Sequence, residues 1–361
     1  MNQNFNLEEY LSGGVERLVK DAMKGTLKNP RESVFLAGYS VNAAKAAKTR
    51  HIFEQKGEHI PPFLIASITN VCNLQCTGCY ARANSSCSDR EDKDTLTAEE
   101  WGAVFKEARE LGISFILLAG GEPMVRKDII EQAAIYKEII FPVFTNGTVI
   151  EEEYLGLLDR HRNLIPVLSM EGEENTTDSR RGKGIYQKVI NAMLAMKKKG
   201  ILFGTSITVT KENKEEVTSV DFLAKLNEKG CRLVFYVEYV PVSDNTEALA
   251  LEQSDRVYLD NRLNSLRECF QDVIFISFPG DEEAAGGCLA AGRGFFHINA
   301  RGGAEPCPFS PYSDSNVKEA GLREALKSPL FEKIKDNHRL LTEHVGGCAL
   351  FDQKEFIEAL L

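Results

Sequence analysis

Three cysteines stand close together in the segment CNLQCTGCY, as Cys72, Cys76 and Cys79. Three and then two residues separate them, and Tyr80 follows the last one directly. Soft thiolate ligands suit iron–sulfur clusters, so this spacing can hold one four-iron cube and leave one iron for a non-protein ligand. A zinc knuckle is the alternative reading, but zinc sites usually close with four ligands and no histidine stands nearby.

The elements around this segment alternate between strands and helices. A strand-like run over 63–68 precedes it, and a capping box of Thr97 with Glu100 opens a helical pattern that ends at Gly112. Later strand-like runs cover 114–119, 142–145, 165–170, 201–209, 233–240 and 273–278, and helix-like runs cover 128–140, 151–160, 186–199 and 214–229. The alternation predicts a parallel sheet with helices outside and functional loops at the carboxyl ends of the strands.

Two further motifs follow the ends of these strands. Gly120, Gly121 and Glu122 come after the second strand, where glycines permit close backbone approach to a ligand and a carboxylate can accept from an ammonium group. Taken alone, this motif is a weak signal, and a plain turn is the alternative. Ser169 lies at the end of the fourth strand, and Arg181 follows it in the chain. Ser169 could bind a ligand, and the alternative is a strand-end hydroxyl that is hydrogen-bonded within the protein.

Together these motifs resemble the signature of the radical S-adenosylmethionine (SAM) enzymes. In that family, SAM chelates the fourth iron of the cluster through its amino and carboxylate groups. An electron passed through the cluster cleaves SAM to methionine and a 5′-deoxyadenosyl radical, which removes a hydrogen atom from the substrate. The resemblance implies a partial (β/α)6 barrel.

The resemblance also implies a role for each residue of the motifs. It assigns the SAM-binding [4Fe–4S] cluster to Cys72, Cys76 and Cys79, and SAM itself to Tyr80, Gly120, Gly121, Glu122, Ser169 and Arg181. Arg181 would pair with the methionine carboxylate, a geometry that suits a planar guanidinium. Glu171 stands where many relatives carry Asp, and the segment that starts at Tyr239 lies where relatives place backbone contacts to adenine.

A second group of cysteines lies near the end of the chain. Cys288 is followed by a predicted hairpin that turns at Gly302, then by Cys307 and, much later, by Cys348. This order resembles the auxiliary-cluster region of the SPASM and twitch subgroups and implies one auxiliary [4Fe–4S] cluster. The alternative is three unrelated buried thiols. Because Phe351 replaces the last cysteine of some relatives, the fourth ligand stays open among Cys269, His344, Asp352, water and the substrate.

Composition indicates the class of protein. The chain has 361 residues, nine cysteines and a formal charge of −10, and 43% of its residues are hydrophobic. No run approaches the roughly 18 apolar residues of a membrane span, and the first residues lack a signal-peptide pattern. Such cysteine usage predicts a reducing cytoplasm and metal or catalytic thiols, and the negative charge disfavours nucleic acid as a partner. We interpret Cys231 as a core residue and Cys87 as a loop residue, with a redox-active thiol as the alternative for Cys87.

These observations predict three regions: a helical N-terminal extension (1–61), a radical SAM partial barrel (62–278) and an auxiliary-cluster domain (279–361). The predicted function is that of a radical SAM oxidoreductase or maturase acting on a peptide or protein, served by a low-potential electron donor such as ferredoxin or flavodoxin. A small-molecule dehydrogenase or cofactor-biosynthesis enzyme is the first alternative. A non-catalytic iron–sulfur electron carrier is the second, but it does not explain Glu122, Ser169 and Arg181 at successive strand ends.

Overall fold

One sheet of nine strands organises the computed structural model, which describes residues 29–90, 92–242, 246–281, 287–337 and 348–361. The strands are β1 Phe63–Ser67, β2 Phe115–Ala119, β3 Phe141–Thr145, β4 Leu164–Met170, β5 Gly204–Val209, β6 Leu233–Glu238, β7 Ile274–Phe278, β8 His297–Ile298 and β9 Ala304–Glu305. Their order across the sheet is β7-β6-β5-β4-β3-β2-β1-β8-β9. Every neighbouring pair is parallel except β8 with β9. The parallel sheet predicted from the alternating pattern is therefore confirmed.

Helices connect the strands and bury one face each. They are α1 Pro30–Glu54, α2 Tyr80–Ala83, α3 Ala98–Leu111, α4 Lys127–Ile135, α5 Glu152–Arg160, α6 Glu174–Arg181, α7 Ile185–Lys199, α8 Lys214–Val217, α9 Val220–Glu228, α10 Gln253–Cys269, α11 Val317–Ala320, α12 Leu322–Ala325, α13 Pro329–Asp336, α14 Ala349–Asp352 and α15 Lys354–Glu358. In α3, Trp101 and Phe105 are fully buried, and the Phe105 ring packs against Phe141 of β3 with centroids 5.2 Å apart. This contact joins the helix layer to the sheet.

Local sequence signals explain where the helices begin and end. The Thr97 hydroxyl accepts from the Glu100 backbone N–H at 3.2 Å, and the Glu100 carboxylate accepts from the Thr97 N–H at 2.8 Å. Gly112 ends α3 with φ of +85°, as predicted. The predicted helix over 214–229 is instead two helices, because the Ser219 hydroxyl accepts from the Phe222 N–H and caps a new helix.

The helical segment before the barrel docks at the edge of the sheet where the strands begin. The Tyr39 hydroxyl of α1 donates to the Ser114 carbonyl at 2.8 Å, and the buried Arg50 donates to the Gly112 carbonyl at 2.6 Å. Both acceptors directly precede β2. The predicted helix over 7–23 lies outside the described residues.

The C-terminal segment continues the same sheet. Ile65 of β1 pairs in parallel with His297 of β8, and His297 pairs in antiparallel register with Glu305 of β9. The hairpin predicted around Gly302 is therefore confirmed, whereas the domain boundary between 278 and 279 stays a prediction. Within the described ranges, no helix has the length and apolar character needed to cross a membrane.

Candidate functional site

The concave face of the sheet carries a mixture of aromatic and small polar side chains. Phe144 of β3 and Phe235 of β6 meet with ring centroids 5.0 Å apart although their strands are not neighbours. This contact shows that the face curls around an interior. Cross-strand register places Ser169 and Ser206 on the same face as Phe235. Ser169 therefore faces the interior at the carboxyl end of β4, as a residue of the predicted SAM site must.

The loop that follows β1 holds Cys72, Cys76 and Cys79, all of them partly exposed. Burial raises the pKa of Cys76, with a contribution from the charges of the other two thiols, so the three sulfur groups lie near one another. Among the described residues, no three His, Cys, Asp or Glu side chains converge on a single metal ion. The fit to a cluster rests on the chemistry of three neighbouring thiols at the mouth of the barrel, whose deprotonated forms are soft ligands for iron.

The two glycines after β2 pack against the cysteine loop itself. The Gly121 N–H donates to the Thr69 carbonyl at 2.9 Å, and the Glu122 N–H donates to the Val71 carbonyl at 2.7 Å. A Cβ added at Gly121 would lie 2.1 Å from the Val71 oxygen, and one at Gly120, whose φ is +134°, would lie 2.4 Å from the Thr69 oxygen. The glycines thus allow two loops to meet backbone to backbone. Their predicted contact with SAM stays a prediction.

The carboxylate of Glu122 links the loops after β2 and β3. It is 1% exposed and accepts from the Met124 N–H at 3.0 Å, the Thr145 hydroxyl at 2.7 Å and the Asn146 N–H at 2.7 Å. Burial raises the pKa of Glu122 to about 7, against the lowering effect of these hydrogen bonds. Its predicted contact with the methionine amine remains a prediction, and in the structure its oxygens accept from two backbone N–H groups and from the Thr145 hydroxyl.

A buried carboxylate holds two arginines beside the cysteine loop. Glu171 accepts from Arg181 at 2.7 Å and from Arg180 at 2.6 Å, and its second oxygen accepts from the Thr208 N–H at 3.1 Å. Burial acts to lower the pKa of Arg181, but the charges of Glu171 and Cys76 hold it above its usual value. Arg181 therefore presents a cation to the thiols. Arg181 already pairs with Glu171, so its predicted pairing with the SAM carboxylate would be a second interaction of the same guanidinium.

Tyr80 faces the C-terminal segment. Its ring packs against Phe309 with centroids 4.9 Å apart, and Asn84 of the same loop donates to the Pro308 carbonyl at 3.3 Å. Burial raises the pKa of Tyr80, with contributions from the charges of Cys79 and Cys307. Tyr80 thus lies between the two groups of thiols, and its predicted role in SAM binding stays a prediction.

The structure brings the three C-terminal cysteines together. The thiols of Cys307 and Cys348 share a hydrogen bond, and the charge of Cys288 contributes to the raised pKa of Cys307. Cys288 and Cys307 are buried. Cys231 is 1% exposed, which confirms it as a core residue.

The structure describes one of two candidates for the fourth ligand of the auxiliary cluster, Cys269, and does not describe the other, His344. Cys269 is exposed at the end of α10, next to the edge where β7 begins, whereas Cys288 follows the opposite end of β7. His344 lies outside the described residues.

Two features of the site escaped the sequence analysis. The buried Cys87 thiol lies beside Cys72 and lowers its pKa, although the sequence showed only a serine-rich loop. The His297 ring bridges Ser67 and Glu305 with hydrogen bonds of 2.7 Å each. Ser67 is the last residue of β1, and the cysteine loop follows it. The predicted hairpin could have revealed this bridge, because a turn at Gly302 sets His297 opposite Glu305.

Several known proteins are similar in sequence to this chain. The Fe-coproporphyrin III synthase of Methanosarcina barkeri is 32% identical over 178 residues, which are 48% of this chain and 43% of that protein. The AdoMet-dependent heme synthase of the same organism is 26% identical over 81% of this chain and 89% of its own length. The sporulation killing factor maturation protein SkfB of Bacillus subtilis is 28% identical over 47% and 41%. The chain thus spans less than half the length of two of these relatives.

A solved structure shares the fold. Streptococcus suis SuiB bound to S-adenosylmethionine superposes with a TM-score of 0.65 at 18% identity, covering 82% of this chain and 73% of SuiB. The Radical SAM superfamily model matches residues 66–223, which span β1 to α9 and contain the cysteine loop, Glu122 and Arg181. Residues 66–223 are therefore similar to the radical SAM domain.

Proposed function

We propose that this protein is a radical SAM enzyme that reductively cleaves SAM at the mouth of its barrel and oxidises or modifies a substrate by hydrogen-atom abstraction. The observation that supports it most is the cysteine loop at the carboxyl end of β1, with the Gly121 backbone on one side and the Arg181 guanidinium on the other. An electron carrier would need the thiols alone. It would not need a cation beside them or an open concave face lined by hydroxyls.

The residues of the chain divide the work at this site. Cys72, Cys76 and Cys79 would hold the cluster, which together with bound SAM supplies the radical. Arg181 would bind the SAM carboxylate, since Glu171 orients its guanidinium and leaves donors for a second partner. Ser169 would bind the ribose or carboxylate part from the interior face. These roles orient SAM relative to the thiols, which is the share of catalysis that the protein contributes.

The substrate class that we propose first is a peptide or protein. SkfB, one of the relatives, is named a maturation protein for a sporulation killing factor, and we carry a substrate of this kind over to the present chain. A cofactor precursor is the second candidate, because the heme synthase aligns with 81% of this chain and 89% of its own length. Both classes use the same radical and differ in what enters the concave face.

The C-terminal thiols support an auxiliary [4Fe–4S] cluster. Cys288, Cys307 and Cys348 come from three separate segments, yet their sulfur groups interact, and free thiols in a reducing cell have no disulfide to form. The fourth iron would be left to a ligand other than Cys269, which lies at the other end of β7. A low-potential donor, ferredoxin or flavodoxin, would deliver the electron in the cytoplasm.

Anaerobic assay of the reconstituted protein tests this proposal. With dithionite and SAM, the wild type should release 5′-deoxyadenosine, and the Cys72→Ala/Cys76→Ala/Cys79→Ala variant should release none. Cys231→Ala is the matched control, since it removes a buried thiol far along the chain and should retain cleavage. Release of 5′-deoxyadenosine by the triple variant would contradict the assignment.

The substrate class needs a second assay. We would add size-fractionated cell extract to the same reaction and compare products by mass spectrometry. A modified species in the peptide and protein fraction supports a maturase, and one in the small-molecule fraction supports the cofactor alternative.

A further inference from the structure

Tyr239 follows β6 directly and places its ring against the cysteine loop. The residue is 3% exposed, and its backbone N–H donates to the Val209 carbonyl at 3.0 Å, which holds the segment in place. Gly78, between Cys76 and Cys79, has φ of +66°, and a Cβ added there would lie 2.6 Å from the Tyr239 hydroxyl oxygen. The hydroxyl therefore touches the backbone between two of the three cluster ligands.

This hydroxyl is buried, and within the part of the chain that the structure describes it has no hydrogen-bond partner. Leaving a buried donor unpaired is costly, and native proteins rarely do so without a reason. The adjoining strand β6 shows the usual solution, because its fully buried Tyr236 donates its hydroxyl to the Val217 carbonyl at 2.7 Å. Tyr239 differs in that its unpaired hydroxyl lies against the cysteine loop, which makes a ligand of that loop the candidate acceptor.

We propose that the Tyr239 hydroxyl donates a hydrogen bond to a sulfur atom of the iron–sulfur cluster that the cysteine loop holds, and so raises the reduction potential of that cluster. The proposal rests on the function proposed above. A hydrogen bond to sulfur stabilises the more negative, reduced form of a cluster, and such bonds are among the features that set cluster potentials. SAM also carries acceptors, so the experiment must separate cluster sulfur from SAM.

Tyr239→Phe is the decisive variant, because it retains the ring against Gly78 and removes only the hydroxyl. Tyr236→Phe is the matched control, since it removes a paired hydroxyl from the adjoining strand β6. We would reconstitute both full-length variants and measure the midpoint potential without SAM by EPR-monitored titration. The signal that changes when SAM is added identifies the cluster of the cysteine loop. SAM dissociation constants and melting temperatures of the iron-free proteins complete the comparison.

We expect Tyr239→Phe to load as much iron as the wild type, to have a more negative midpoint potential, and to bind SAM within twofold of the wild type. Its iron-free form should melt no lower than the wild type, because it loses an unpaired hydroxyl. Tyr236→Phe should melt lower and retain the potential. A purely structural role for Tyr239 would reverse the melting result and leave the potential unchanged.

Three results would overturn the inference. An unchanged potential with weaker SAM binding would assign the hydroxyl to SAM, and an unchanged potential with unchanged binding would leave it without a function at this site. Failure of Tyr239→Phe alone to load iron would make it a determinant of cluster assembly instead. If the wild type itself binds no iron at the cysteine loop, the proposed function and this inference both fail. If the wild type binds iron there and Tyr239→Phe leaves the potential unchanged, this inference alone fails.

Discussion

The two groups of thiols are built in opposite ways. Cys72, Cys76 and Cys79 stand on one loop, are partly exposed and share the cation of Arg181. The C-terminal group is assembled from three distant segments, and two of its three members are buried. In that group, the hydrogen bond from Cys307 lowers the pKa of Cys348, against the raising effects of burial and of the Asp352 carboxylate. The first group is thus open and faces a cation, which suits an anionic ligand such as the SAM carboxylate, whereas the second is enclosed by protein.

The segments that carry the two groups are nevertheless in contact, and an aromatic pair is part of that contact. Tyr80 follows the first group, Phe309 follows Cys307, and their rings meet at 4.9 Å. The distance between the two groups of cysteines therefore depends on Tyr80 and Phe309, neither of which is a proposed cluster ligand.

The largest expected effect comes from removing the enclosed group. The Cys288→Ala/Cys307→Ala/Cys348→Ala variant should carry about four irons per chain against about eight in the wild type, the content of one and two cubes. SAM cleavage should continue at the open group, slowly and without substrate product. Iron analysis with Mössbauer spectroscopy measures this, and about four irons in the wild type would remove the auxiliary cluster from the comparison.

Loss of the carboxylate behind the open group should cost stability and SAM binding together. Glu171→Gln leaves Arg180 and Arg181 partly buried without their counter-ion, and breaking such a buried pair typically costs about 3–5 kcal/mol. Glu32→Gln is the matched control, because Glu32 pairs with Arg162 at the opposite edge of the sheet. Chemical denaturation should show a loss in both variants, and calorimetry should show weaker SAM binding in Glu171→Gln alone. Equal SAM binding by the Glu171→Gln and Glu32→Gln variants would argue against a role for Glu171 and its two arginines in SAM binding.

A smaller effect should follow from replacing the planar guanidinium of Arg181 with another group of the same charge. Arg181→Lys should weaken SAM binding by roughly tenfold, about 1.4 kcal/mol, since an ammonium cannot serve Glu171 and a second carboxylate in the same planar geometry. Arg180→Lys should change affinity less, because Arg180 also donates to the Thr77 carbonyl and is more exposed. Titration of both variants measures this, and an unchanged affinity in Arg181→Lys would assign Arg181 another task.

The smallest effect concerns the contact between the two groups. Phe309→Leu removes the ring that packs on Tyr80 and should cost about 0.5–1.5 kcal/mol of stability beyond the change in buried area. Phe309→Tyr retains the ring and should cost less. Urea denaturation of both variants measures the difference, and equal stability would show that the aromatic pair does not hold the two groups together.

Much of the fold could be predicted from local patterns. The alternation of apolar strands with amphipathic helices predicted a parallel sheet, and the capping box at Thr97 predicted the start of α3. The break between α8 and α9 was missed, because Ser219 is a modest signal inside a helical pattern. The glycines after β2 were expected near a ligand. Their reason in the structure, contact with the backbone at Thr69 and Val71, depends on which loops the sheet brings side by side.

The sequence by itself determined the open group of thiols, since three cysteines within eight residues stay close in any loop that follows a strand. Only the tertiary structure decided which distant residues join the site. It placed Cys87 beside Cys72, Glu171 beneath Arg181, and the Tyr239 hydroxyl against Gly78. The physical reason is that each of these contacts forms where strand ends and loops meet at one edge of the sheet. Register and packing, which no short segment encodes, bring those groups together there.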